Sequence, residues 1–124
     1  MINISVDESF GYDLLSIAHV KKRKLDSDAT RSNLRRISGE LLSQVSYETH
    51  AEVLGSQEYA DLERANQDLF NIFDEMKLPG KTECYDLRAD RLNYRRFECK
   101  KALQAKFFPQ SILTEVKLGY EKTA

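Results

Sequence analysis

The stretch Ser56-Gln-Glu-Tyr-Ala-Asp-Leu-Glu-Arg-Ala-Asn-Gln-Asp-Leu-Phe-Asn-Ile-Phe-Asp-Glu-Met76 decides the fold class. Tyr59, Leu62, Asn66, Leu69, Phe73 and Met76 recur at alternating steps of three and four, the period of an α-helix with one apolar face. Phe70 and Ile72 widen that face. Ser56 supplies a side-chain acceptor for the free N–H groups of the first turn. Leu78-Pro79-Gly80 breaks the helix. Two heptads are too few to claim a coiled coil.

Working outward, the segment after the break reads as a longer helix from Thr82 to Phe108, stopped by Pro109. It is apolar on two sides. Tyr85, Ala89, Leu92, Cys99, Leu103 and Phe107 form one stripe, and Leu87, Tyr94, Phe97, Ala105 and Phe108 form a second, roughly opposite. Such a helix is central, or it also faces a partner. Leu87, Tyr94, Phe97 and Phe108 are therefore the candidate interface, and a homodimer is the expected assembly, with another protein partner as the further option.

Before Ser56, Leu34, Ile37, Leu41 and Val45 follow helical spacing after a start at Ser27 or Asp28. Continuing that stripe toward Gly55 places Glu48 and Glu52 where apolar residues belong. Either the helix kinks near Ser46, or a polar site lies at the end of the bundle. The first helix should run from about Asp7, with Asp7 or Ser9 as its cap, to Leu25. Phe10, Leu14, Ile17, Ala18 and Leu25 share one of its faces. Ile2, Ile4 and Val6 alternate with polar residues, as do Ile112, Thr114, Val116, Leu118 and Tyr120 with their neighbours, which predicts short strands at the two ends. The expected fold is thus mostly α, a four-helix bundle-like single domain over residues 1–124 with short N- and C-terminal β-strands.

Composition narrows the class. The 124 residues are 41% hydrophobic and 31% charged, which is a globular balance. No apolar run is long enough for a membrane span, and Met1 to Phe10 lack a basic start followed by an apolar stretch, so a cytoplasmic protein is expected. Cys84 and Cys99 fall on one predicted helix about 22 Å apart, too far for a disulfide.

Chemistry-bearing residues are sparse. Arg96 falls inside the main apolar stripe of the last helix, and Asn66 sits mid-stripe in the third. With Glu48 and Glu52 they form the candidate buried polar group. It reads as an Arg–Glu pair fixing how helices meet, or as a pocket with convergent polar groups. Lys21, Lys22, Arg23 and Lys24 form a basic run, and Arg88, Arg91 and Arg95 a basic stripe near aromatics, an arrangement suited to phosphates and bases. Against this, Ser56 to Lys77 carries a net charge of −4 and Thr82 to Phe108 a net of +3, so these two helices can complement each other. The residues three before His19 and His50 are Ser16 and Tyr47, not the glutamate of a ferritin-like site. Gly80-Lys81-Thr82 lacks the upstream glycine of a phosphate-binding loop. No cofactor, metal site or catalytic residue is expected. The sequence points to a non-enzymatic protein–protein interaction or regulatory module, with a nucleic-acid-associated protein as the alternative.

Overall fold

The computed structural model describes residues 1–78 and 85–111. Five α-helices follow in order: α1 (Glu8–Lys24), α2 (Asp28–Leu42), α3 (Tyr47–Leu54), α4 (Gln57–Met76) and α5 (Tyr85–Phe107), with a 3-10 turn at Pro109–Ser111. No helix among the described residues is long and apolar enough to cross a membrane.

Local signals set most boundaries. The Ser27 side chain accepts from the Thr30 N–H while Thr30 Oγ1 accepts from the Ser27 N–H, a reciprocal cap at the start of α2. Ser56 accepts from the Tyr59 N–H at 3.1 Å and starts α4. The expected long second helix is two helices. Past Leu42, the Ser43 hydroxyl and the Gln44 amide both donate to the Glu40 carbonyl, and Ser46 then caps α3 by accepting from the Thr49 N–H. Short polar side chains here compete for the backbone groups a continuous helix would use.

The expected terminal strands are not part of the fold as described. Among the described residues there is no strand. Ile2, Ile4 and Val6 lie in a segment without regular structure, with 87%, 76% and 54% of their surfaces exposed. Alternation alone does not make a strand without a paired neighbour, and the mate expected for this segment, residues 112–120, lies outside the described residues. The C-terminal segment Ile112–Tyr120 lies outside the described residues, as do Thr82 to Cys84.

α4 packs most extensively on α5, and α1 packs on α2, α4 and α5. The main core gathers Tyr12, Leu15 and Ala18 from α1 with Ile37, Val53, Tyr59, Leu62 and Leu103. A second cluster, Ile72 and Ala89 with Met76 and Leu92 against them, closes the other end of the α4–α5 pair. α4 buries Tyr59, Leu62, Ala65, Asn66, Leu69 and Ile72, while Phe73 stays 45% exposed. On α1 the core face is Tyr12–Leu15–Ala18, so Phe10, Leu14 and Ile17 lie on the other side. At Gly11 a Cβ would meet Leu41 Cδ2 at 2.7 Å, so glycine lets α2 close onto α1.

Candidate functional site

Three groups of polar side chains join the helices. The first centres on Asp13, which is 3% exposed on α1. Arg96 of α5 reaches it with a two-pronged fork: Nε donates to both carboxylate oxygens at 2.9 and 3.2 Å, and a terminal nitrogen donates to Oδ2. Asn66 of α4 donates to Asp13 Oδ1 at 2.9 Å and to Ser16 Oγ at 2.7 Å, and Ser16 donates to the Asp13 carbonyl. One carboxylate thus ties α1, α4 and α5 together.

This corrects the expected pairing. Arg96 and Asn66 do belong to one polar group, but the carboxylate at its centre is Asp13. Glu48 and Glu52 lie exposed on α3 and take no part. The break at Ser43–Ser46 resets the helical phase, so the stripe of α2 does not run on through Glu48 and Glu52, and α3 instead buries His50 and Val53.

The second group holds the start of α1. Asp7 is its N-cap residue but makes no capping bond with its side chain. Gln104 of α5 accepts from the Ser9 N–H at 2.9 Å and donates to Glu8 and to the Phe108 carbonyl, while Ser111 donates to both Glu8 oxygens. Burial pushes the Glu8 carboxyl up, but the bonds from Gln104 and Ser111 outweigh it and leave its pKa below the ordinary value.

The third group is aromatic. Tyr12 and His50 share a 2.9 Å hydrogen bond through the tyrosine hydroxyl and Nδ1, with Tyr59 edge-on and Phe108 stacked at 6.0 Å. Burial, then the nearby Glu8 charge, pushes the Tyr12 hydroxyl up to about 12, and burial lowers the His50 pKa. The Tyr59 hydroxyl is buried without a hydrogen-bond partner among the described residues, and burial raises its pKa. Cys99 is a free thiol packed at the core edge, and burial likewise raises its pKa.

The basic candidates largely meet acids of α4. Arg23 pairs with Glu63 at 3.0 Å, Lys24 with Asp74, Arg88 with Glu75 at 3.8 Å and Arg95 with Asp68 at 2.8 Å; Lys106 adds Glu58 at 3.0 Å. The acidic helix α4 is therefore met by cations from α1 on one side and from α5 on the other. Lys21 and Arg91 remain exposed, with Lys22 half-buried.

The interface candidates separate. Phe108 stacks on Tyr12 and packs against the core, which removes it from any shared face. Leu87 stays 63% exposed, and the Tyr94 and Phe97 rings lie 6.3 Å apart, both half-buried. Phe97 borders a surface cavity of about 290 Å3 with Phe10, Asp13, Leu14, Asn93, Arg96 and Lys100. Leu14 is 55% exposed and also lines a groove of about 340 Å3 between α1 and α2. Sequence reasoning missed this face because it grouped Leu14 with the core-facing stripe. Asp13 went unnoticed because a single acid on a helix carries no local mark of a partner 83 residues away.

Among the described residues, no three of His, Cys, Asp and Glu gather closely enough to hold a metal ion. Comparison of the chain with protein families, with curated proteins and with solved structures finds no match.

Proposed function

We propose that the chain is a non-enzymatic protein-interaction module that works as a homodimer. The observation that carries this reading is the open face where α1 meets α5. Leu14 is more than half exposed there, beside the half-buried rings of Phe10 and Phe97, with a cavity on each flank. A surface of apolar side chains with aromatic anchors and cationic neighbours has the composition of a protein interface. The polar groups favour the same reading. Asp13 is fully engaged by Arg96 and Asn66, which suits a clamp on helix positions better than a proton-transfer group.

The ion pairs weigh against the nucleic-acid alternative. Four of its seven candidate cations already face carboxylates of α4, so few remain to neutralise phosphates. Retention on duplex DNA at physiological salt should be negligible, and sub-micromolar binding with a steep salt dependence would reverse this order. Light scattering at micromolar concentration tests the assembly. A mass of twice 14.3 kDa is expected, and a mass of 14.3 kDa at every concentration would contradict self-association.

A further inference from the structure

α3 has 8 residues, and its buried side chains are His50 and Val53. Tyr47, Glu48, Ala51, Glu52 and Leu54 are exposed. A helix this short does not persist in water by itself, so α3 stays formed because it is docked. Val53 joins the main core. His50, one turn earlier, is 7% exposed, and its Nδ1 shares the 2.9 Å hydrogen bond with the Tyr12 hydroxyl. A titratable ring is therefore one of the two anchors of the helix.

The surroundings of that ring are polar but bring it no counter-charge. α1 presents the Tyr12 hydroxyl, and α4 presents Tyr59, edge-on to Tyr12. Glu8 acts on Tyr12, while Glu63 and Arg23 act on Tyr59. Glu8 is already bound by Gln104 and Ser111. Glu48 and Glu52, on α3 itself, are exposed. Among the described residues, no charged group of α2, α4 or α5 acts on His50, and burial is the cause that lowers its pKa below 6.5. An imidazolium here loses water and gains no anion. Leaving the bundle returns that water, so protonation favours the undocked state of α3.

The rest of the bundle does not depend on α3. The Asp13 group joins α1, α4 and α5 directly, and the ion pairs of α4 reach α1 and α5. We infer that His50 is an acid-sensitive latch: taking up a proton, it releases α3 and uncovers Tyr12 and the core around Val53, while α1, α4 and α5 stay packed. The latch goes beyond the homodimer reading and does not rest on it.

Native-state hydrogen exchange, followed by nuclear magnetic resonance from about pH 7 to about pH 5, tests this. Rates are corrected for the intrinsic effect of pH on exchange. Below 6.5 the opening of α3 should rise by up to about tenfold per pH unit, until the docked value of His50 is passed. Amides of α1 and α4 should keep a higher protection throughout. His50→Gln retains an acceptor for the Tyr12 hydroxyl but cannot titrate, so the pH dependence of α3 opening should flatten. Val53→Ala keeps the titrating ring and loosens the other anchor. It should raise α3 opening by a constant factor at every pH and leave the pH dependence in place. Opening of α3 that stays constant while the His50 ring titrates would overturn the latch. So would α3 and core amides that open together at every pH, an unchanged pH dependence in His50→Gln, or its loss in Val53→Ala.

Discussion

Asp13 shows what a buried carboxylate requires. It is 3% exposed, yet three donors from two other helices reach its oxygens. Arg96→Ala should therefore cost about 2–4 kcal/mol, because it leaves the carboxylate buried without its cation. Chemical denaturation measures this, and an unchanged midpoint would mean that Asp13 reaches water in solution. Arg96→Lys should restore only part of the loss, since an ammonium cannot reproduce the fork. Glu48→Ala and Glu52→Ala should each stay within about 0.5 kcal/mol of wild type, as exposed sites do. The two buried tyrosines make an opposed pair. Tyr59→Phe deletes a hydroxyl that bonds no described residue and should be neutral or slightly stabilising, whereas Tyr12→Phe strands the His50 Nδ1 and should cost about 1 kcal/mol.

Protonation adds a pH test at the same scale. Burial holds both His19 and His50 below the usual 6.5 in the folded chain. In acid the unfolded chain therefore binds more protons at these positions than the folded one. Stability is full above the usual histidine value and declines as pH falls below it toward the folded values. Calorimetry between neutral and mildly acidic pH should show a falling melting temperature. His50→Gln, which cannot titrate, should lessen the slope, and an unchanged slope would place the effect elsewhere.

At the scale of elements, boundaries were legible where the signal is local. Ser56 caps α4 where expected, and α4 ends at Met76, just ahead of the predicted stop, because such signals depend on a few adjacent residues. The serines at 43 and 46 mark the break that two misplaced glutamates had suggested. Ser46→Ala should cost about 1 kcal/mol by leaving the first turn of α3 uncapped. Gly39 sits within α2, and a Cβ added there would meet no atom within 4 Å, so Gly39→Ala should stabilise by about 1 kcal/mol. Thermal melting checks both. Which face of a helix turns inward was less legible. On α1, Phe10, Leu14, Ile17 and Ala18 look like a core stripe; of these Ala18 joins the core, while Tyr12 and Leu15 supply the rest of its α1 side, because long-range partners from α2, α3, α4 and α5 decide the rotation. The alternation of Ile2, Ile4 and Val6 is not a strand among the described residues, since a strand depends on a mate that the pattern alone does not supply.

For the whole molecule, the charge balance between helices was visible as opposite net charges, and the ion pairs of α4 with α1 and α5 are its structural form. Each exposed pair contributes little alone, at about 0–1 kcal/mol. Beside these pairs, the face around Leu14 stays open. If that face joins two copies, the melting temperature should rise with protein concentration, because association stabilises the folded state by mass action. Isotope-filtered nuclear Overhauser spectroscopy on a mixture of labelled and unlabelled chains tests the arrangement most directly. A homodimer through the open face predicts intermolecular contacts from the methyl groups of Leu14 to the Phe10 or Phe97 ring. Intermolecular contacts confined to Leu87 and Tyr94, or none at concentrations where light scattering gives a dimer mass, would contradict it.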